Sequence, residues 1–185
     1  MDPDILTLVS GMSLPDLTID NTLVRGYAQR EVAEESYPVL IEVAGASCEG
    51  LLINGLTDTA MQRIHFYEGE EYQLSDIDVE LMTAASQTNV DSPLNGAAIR
   101  QACYYREAGA YTTLAQSWSF SRWVAEEKTA FLPRVADYMS LFGTMTMAEA
   151  DAFWIKSGID AGIENGSDGA PDEHQMRTQH LTGTC

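Results

Sequence analysis

The chain has 185 residues, a formal net charge of −18 at pH 7, 45% hydrophobic residues and 21% charged ones. That length suits one domain with a genuine core. The acidic balance argues against nucleic acid and anionic membrane surfaces, both of which call for Lys/Arg patches. No apolar run approaches the roughly 18 residues of a membrane-spanning helix. The first residues, Met1-Asp2-Pro3-Asp4, are acidic where a signal peptide would be basic, so the cytoplasm is the expected location.

Asp2-Pro3 predicts an N-cap followed by proline at the first helical position, with Ile5, Leu8, Val9 and Met12 at helical spacing and Gly11 near the helix end. Residues 14–21 are expected to be a turn-rich connection. Strands are expected at 23–32, 38–43 and 48–53, punctuated by Gly26, Gly45 and Gly55. Thr57-Asp58 can cap a short helix carrying Ala60, Met61, Ile64 and Tyr67 on its apolar side. Ile77, Val79 and Leu81 alternate with Asp78 and Glu80, the pattern of a half-buried strand. Residues 89–96 should be a loop and 98–105 another strand.

The second half is expected to be helical. Ser119 or Ser121 should start a helix through Phe120, Trp123, Val124, Phe131, Val135, Tyr138 and Phe142, broken or kinked at Pro133. Thr146 and Glu149 form a capping-box match opening a further helix. From about 162 onward apolar periodicity stops, so 162–185 is expected to be a disordered tail. The cysteines, Cys48, Cys103 and Cys185, are odd in number and widely spaced, which indicates neither a disulfide framework nor a zinc site. Cys48 and Cys103 are expected to be small buried hydrophobes and Cys185 an exposed thiol.

Glu68, in Tyr67-Glu68-Gly69-Glu70-Glu71-Tyr72, is the leading candidate for chemistry. A carboxylate just past a short helix and near Phe66, Tyr67 and Tyr72 would have its pKa raised by partial burial and could move protons near neutral pH. A solvated acidic turn is the simpler alternative. His65 adjoins it as a second candidate base. Arg25, Arg30 and Arg63 are candidates for pairing with an anion. The tail residues Asp172, Glu173, His174 and His180 match no metal-binding spacing.

The ordered set Gly26-Tyr27, Tyr37-Pro38, Glu49-Gly50-Leu51-Leu52, Gly55-Leu56-Thr57, Tyr67-Glu68-Gly69 with Tyr72, and Trp118-Ser119-Phe120-Ser121-Arg122-Trp123 resembles the AIG2-like branch of the gamma-glutamylcyclotransferase fold. The resemblance implies an α+β fold: a small mixed β-barrel with short helices over 1–118, a helical C-terminal extension over 119–161, then the tail. It also implies that the family's substrate loop and first barrel strand belong ahead of Met1, so that this chain lacks both. The implied reaction is release of 5-oxoproline from a gamma-glutamyl amine or peptide, with Glu68 as general acid/base and Tyr37 and Tyr72 contacting the substrate. The implied partner is a small gamma-glutamyl molecule, with no cofactor and no metal. Many relatives carry a basic residue after the tyrosine equivalent to Tyr72, whereas Gln73-Leu74 follows here. The alternative is a non-catalytic AIG2-like module binding a small ligand or a protein, similar to modules that precede a Nudix hydrolase, although the chain holds no Nudix box. The sequence leaves the leaving amine and the oligomeric state open.

Overall fold

The computed structural model describes residues 2–33, 36–70, 72–82, 98–107 and 113–157. In chain order these form α1 (Pro3–Ser10), a 3-10 turn (Leu14–Asp16), β1 (Thr18–Val32), β2 (Pro38–Asn54), α2 (Asp58–Glu68), β3 (Tyr72–Leu81), β4 (Ile99–Glu107), β5 (Thr113–Ser117), α3 (Phe120–Glu126), α4 (Lys128–Met139) and α5 (Met147–Ser157). The fold is α+β, built on a five-stranded antiparallel sheet ordered β2-β1-β3-β4, with β5 also paired to β1.

Local chemistry sets most boundaries. Asp2 accepts the Asp4 N–H at 2.9 Å, and Gly11 closes α1 with φ 70° and an N–H bond to the Thr7 carbonyl. Ser119, rather than Ser121, caps α3 by accepting the Arg122 N–H at 3.3 Å. The capping box at α5 forms in both directions, with the Thr146 N–H on Glu149 at 2.9 Å and the Glu149 N–H on Thr146 Oγ1 at 3.3 Å.

Three expected element boundaries are corrected. Residues 18–21 are strand rather than connection, because pairing of Thr18, Ile19, Asp20 and Asn21 with Asn54, Ile53, Leu52 and Leu51 overrides the turn preference of Asp20 and Asn21. The two strands expected at 38–43 and 48–53 are one strand, β2. Gly45 does not end it; with Gly26 opposite, both at positive φ, it forms an irregularity at which Arg25 faces Ser47 but Tyr27 faces Glu42. The helix break lies at Glu127, and α4 runs through Pro133. The expected loop at 89–96 and tail at 162–185, with Asp172, Glu173, His174, His180 and Cys185, lie outside the described residues.

The pairings described leave the sheet open rather than closed into a barrel. β1 divides its free edge between two partners: Thr22 and Leu23 face Leu81 and Glu80 of β3, while Arg30 and Val32 face Ser117 and Thr113 of β5. The sheet does curl, since Tyr27 of β1 meets Tyr104 of β4 edge-on at 6.0 Å. One apolar cluster, Val24, Ile77 and Val79 with Tyr27, Leu40, Leu52, Ala102 and Tyr104, lies on one face. The larger core joins Ile5 and Val9 of α1, Ile64 and Phe66 of α2, Trp123, Val135, Tyr138 and Met139 of α3 and α4, and Ala150 of α5. Tyr104 and Tyr105 are consecutive strand residues, so they point to opposite faces and join different clusters. That alternation turns Tyr105 toward the helices. Cys48 is half-buried and Cys103 exposed, so Cys103 is not the core residue expected. No helix among the described residues is long and apolar enough to cross a membrane.

Candidate active site

The candidate site forms at the end of α2. Thr57 Oγ1 accepts the Ala60 N–H at 3.1 Å and starts the helix, and Ala60, Ile64 and Phe66 bury its inner face. Gly69 ends it with φ 73° and ψ −174°, a combination open essentially to glycine alone, and returns its N–H to the His65 carbonyl at 3.3 Å. Glu68 is therefore the last helical residue. It stands at the negative end of the helix dipole, where an ionised carboxylate is disfavoured.

Protein atoms crowd the Glu68 carboxyl, although the residue as a whole keeps intermediate exposure. Desolvation pushes its pKa up from 4.5 to about 7. Around it stand tyrosines that stay protonated. Burial, then the charge of Glu68 and the neighbouring Tyr72, push the Tyr67 phenol well above its ordinary range, with Arg134 acting in the opposite sense. Burial and then Glu68 likewise raise Tyr105. His65 is exposed and stacks on Tyr105 with ring centroids 6.1 Å apart and planes 25° apart.

α4 and α5 support this end of α2. The Phe66 and Tyr138 rings lie 5.2 Å apart, and the Tyr138 hydroxyl lies 3.3 Å from the Phe66 carbonyl and 2.5 Å from Asp151 Oδ1. The Tyr138 phenol is raised by burial first and by that carboxylate second. Asp151 Oδ2 in turn lies 3.5 Å from the place a β-carbon on Gly69 would occupy. The rings of Tyr138 and Trp154 meet edge-on at 5.4 Å. One aromatic stack thus ties α2, α4 and α5 together behind Glu68.

Glu68 and Tyr72 both act on the Tyr67 phenol. Tyr37 stands on a different element, in the turn leading into β2, beside Ser36, whose carbonyl accepts the Trp118 indole N–H at 3.3 Å. The arginines singled out from sequence have structural engagements. Arg25 pairs with Glu80 at 2.9 Å, and Arg30 donates to Ser117 Oγ at 3.0 Å. Arg63 donates to the carbonyls of Val9 and Leu8 at 2.8 and 3.0 Å and lies over the Phe142 ring at 5.2 Å. It closes the C-terminal end of α1. Sequence reasoning missed Tyr105, Arg134, Tyr138 and Asp151. The first shows itself only once strand alternation is fixed, and the others only once α4 and α5 are docked.

A carboxyl group half-protonated near neutrality, beside protonated phenols that can donate hydrogen bonds, is equipped for proton transfer to and from a bound polar molecule. The chain is similar to two solution structures from Arabidopsis thaliana. At5g39720.1 is 15% identical, covering 77% of this chain and 86% of its own, with a TM-score of 0.47. At3g28950.1 is 14% identical, covering 91% of this chain and 90% of its own, with a TM-score of 0.44. No family model and no curated protein matches the chain.

Proposed function

We propose that the chain is a gamma-glutamylcyclotransferase-like domain in which Glu68 is the general acid/base. In this reading the curled sheet belongs to a small mixed barrel, and the helices after residue 118 are an extension packed on it. The substrate's free α-amine attacks its own γ-carbonyl carbon. The new C–N bond closes the five-membered ring of 5-oxoproline as the original amide C–N bond breaks. Glu68 takes the proton from the attacking nitrogen and delivers one to the leaving nitrogen. Protonated Tyr67 and Tyr105 can donate to the oxyanion, and Tyr72 lines the approach. The observation that carries this reading is the desolvated Glu68 carboxyl, with a pKa of about 7, at the glycine-terminated end of α2.

The test is 5-oxoproline release from gamma-glutamyl peptides and amines by the wild type and by Glu68→Gln. The substitution should lower the rate on the order of 100-fold or more. Retained activity in the variant would refute the assignment. A second reading, a non-catalytic module for a small ligand or a protein, is favoured by Gln73 and Leu74, uncharged and exposed directly after Tyr72. It predicts ligand-dependent stabilisation of the fold without turnover.

A further inference from the structure

The last carbonyls of an α-helix lack an intrahelical N–H, and at the end of α2 the Gly69 N–H serves that of His65 at 3.3 Å. One more helical residue would have served Phe66, but the helix stops. The Tyr138 hydroxyl of α4 meets the Phe66 carbonyl instead, at 3.3 Å and away from solvent. A phenol has one proton to give. Asp151 Oδ1 of α5, 2.5 Å away, draws it at a length typical of a hydroxyl on a carboxylate, and the Phe66 carbonyl takes the longer arm of the shared bond. The ring behind that hydroxyl is held from two sides, by Phe66 at 5.2 Å and by Trp154 edge-on at 5.4 Å. The other carboxylate oxygen of Asp151 stands against buried Gly69, 3.5 Å from the place of a β-carbon there. Tyr138 and Asp151 thus grip the chain at Phe66 and at Gly69, and the residues between are Tyr67 and Glu68.

We propose that Tyr138 and Asp151 are positioning residues for proton transfer at Glu68, aiming its carboxyl by fixing the backbone on either side of it. The inference rests on the cyclotransferase reading for the reaction that the carboxyl performs. In that reaction one carboxyl takes a proton from the attacking nitrogen and returns one to the leaving nitrogen, both joined to the same carbon in the intermediate. It must reach two places with little movement, and a displacement of about 1 Å lowers such a rate on the order of 100-fold. Glu68 is the last residue of α2, and helix ends fray. The hydroxyl and the carboxylate supply the hold that the helix itself no longer gives there, and they act through the main chain rather than on the substrate. The same hold keeps water from the end of α2.

The test uses the full chain, wild type and as Tyr138→Phe, Asp151→Ala and Asp151→Asn. Phenylalanine keeps the ring and its stacking partners, and asparagine removes the charge but keeps an acceptor for the hydroxyl. Two readouts are taken well below the unfolding temperature, where lost stability alone moves neither. The first is kcat and KM for 5-oxoproline release from gamma-glutamylglycine. Tyr138→Phe and Asp151→Ala should lower kcat on the order of 10–100-fold with KM within about twofold. The second is NMR titration of the Glu68 carboxyl, assigned by its absence in Glu68→Gln, which needs no substrate. Its midpoint should fall by about one pH unit in the same two variants as water reaches the end of α2. Asp151→Asn should recover most of both changes. The other titratable groups there, His65 and Tyr67 of α2, Tyr72 and Tyr105 of the sheet and Arg134 of α4, are the same in every variant. Folded variants with wild-type kcat and an unmoved midpoint would overturn the proposal, and 5-oxoproline release would then leave the cyclotransferase reading standing. A rise in KM at constant kcat with an unmoved midpoint would overturn it too. A wild type without turnover removes the cyclotransferase reading, and the titration then decides: a lowered midpoint supports the hold on Glu68, an unmoved one overturns it. Should Tyr138→Phe lose the wild-type circular dichroism spectrum, Asp151→Ala must by itself show both changes.

Discussion

Glu68→Gln is expected to stabilise the protein, and to do so only at higher pH. The carboxyl titrates at 4.5 in the unfolded chain and at about 7 in the fold. Below the lower value it is protonated in both states, so the substitution changes little. As pH rises from 4.5, the unfolded chain releases its proton while the folded chain keeps it until about 7, so the wild type loses stability across that window. Above it, the full penalty of an ionised, desolvated carboxylate is present, roughly 3 kcal/mol. Glutamine has nearly the same shape and carries no charge, so it escapes that penalty. In a chain of this size the difference corresponds to a gain of roughly 6–12 °C in Tm. The assay is urea or thermal unfolding of both proteins at about pH 4 and about pH 8. Comparing their difference at the two pH values isolates Glu68 from the other acidic residues. Equal stability at both pH values, or a variant less stable at the higher one, would show that the carboxylate is solvated or held by a cation, and would remove the basis for its role in proton transfer.

Gly69→Ala should lower stability by roughly 1–3 kcal/mol in urea unfolding, from backbone strain. The added β-carbon itself would meet Asp151 at an ordinary contact distance, 3.5 Å. Tyr138→Phe removes the donor to Asp151 from a buried position and should cost roughly 1–3 kcal/mol, read the same way. Arg63→Ala removes two hydrogen bonds to the α1 carbonyls and should cost roughly 2 kcal/mol. Hydrogen exchange should accelerate in α1 well before it does in the sheet.

The elements marked by local chemistry were legible from sequence. The caps at Asp2, Thr57 and Ser119 and the box at Thr146–Glu149 act within three residues, so spacing alone exposes them. Glu68 was singled out by the AIG2-like resemblance, since its immediate neighbours alone read as a solvated acidic turn; the desolvation of its carboxyl comes from elements packed around the end of α2 and is not written in that local pattern. What stayed hidden depends on distant pairing. Asp20 and Asn21 read as turn residues until Leu52 and Leu51 hold them extended, and Gly45 reads as a terminator until Gly26 is found opposite. Arg134 and Asp151 lie 66 and 83 positions from Glu68. No periodicity within their own helices marks them as neighbours of the site. Pro133 misled for a subtler reason: Glu127 ends α3 first, and α4 begins afresh five residues ahead of the proline.

The β1–β2 hairpin has a consequence for the order in which the fold assembles. Its two strands are separated in sequence only by residues 33–37, so their pairing closes a small loop at little entropic cost and involves contacts local in sequence. The contacts of β1 with β3 and β5 span much longer stretches of chain, such as Leu23 with Glu80 and Arg30 with Ser117. The hairpin is therefore the natural early structure. Its bend at Gly26 and Gly45 presents two differently directed edges, a start that can receive β3 and an end that can receive β5. A nascent chain would have this two-sided template complete at Asn54, before Glu68 has been synthesised. The site then becomes the last thing folding produces, finished only when α4 and α5 arrive to close around the end of α2.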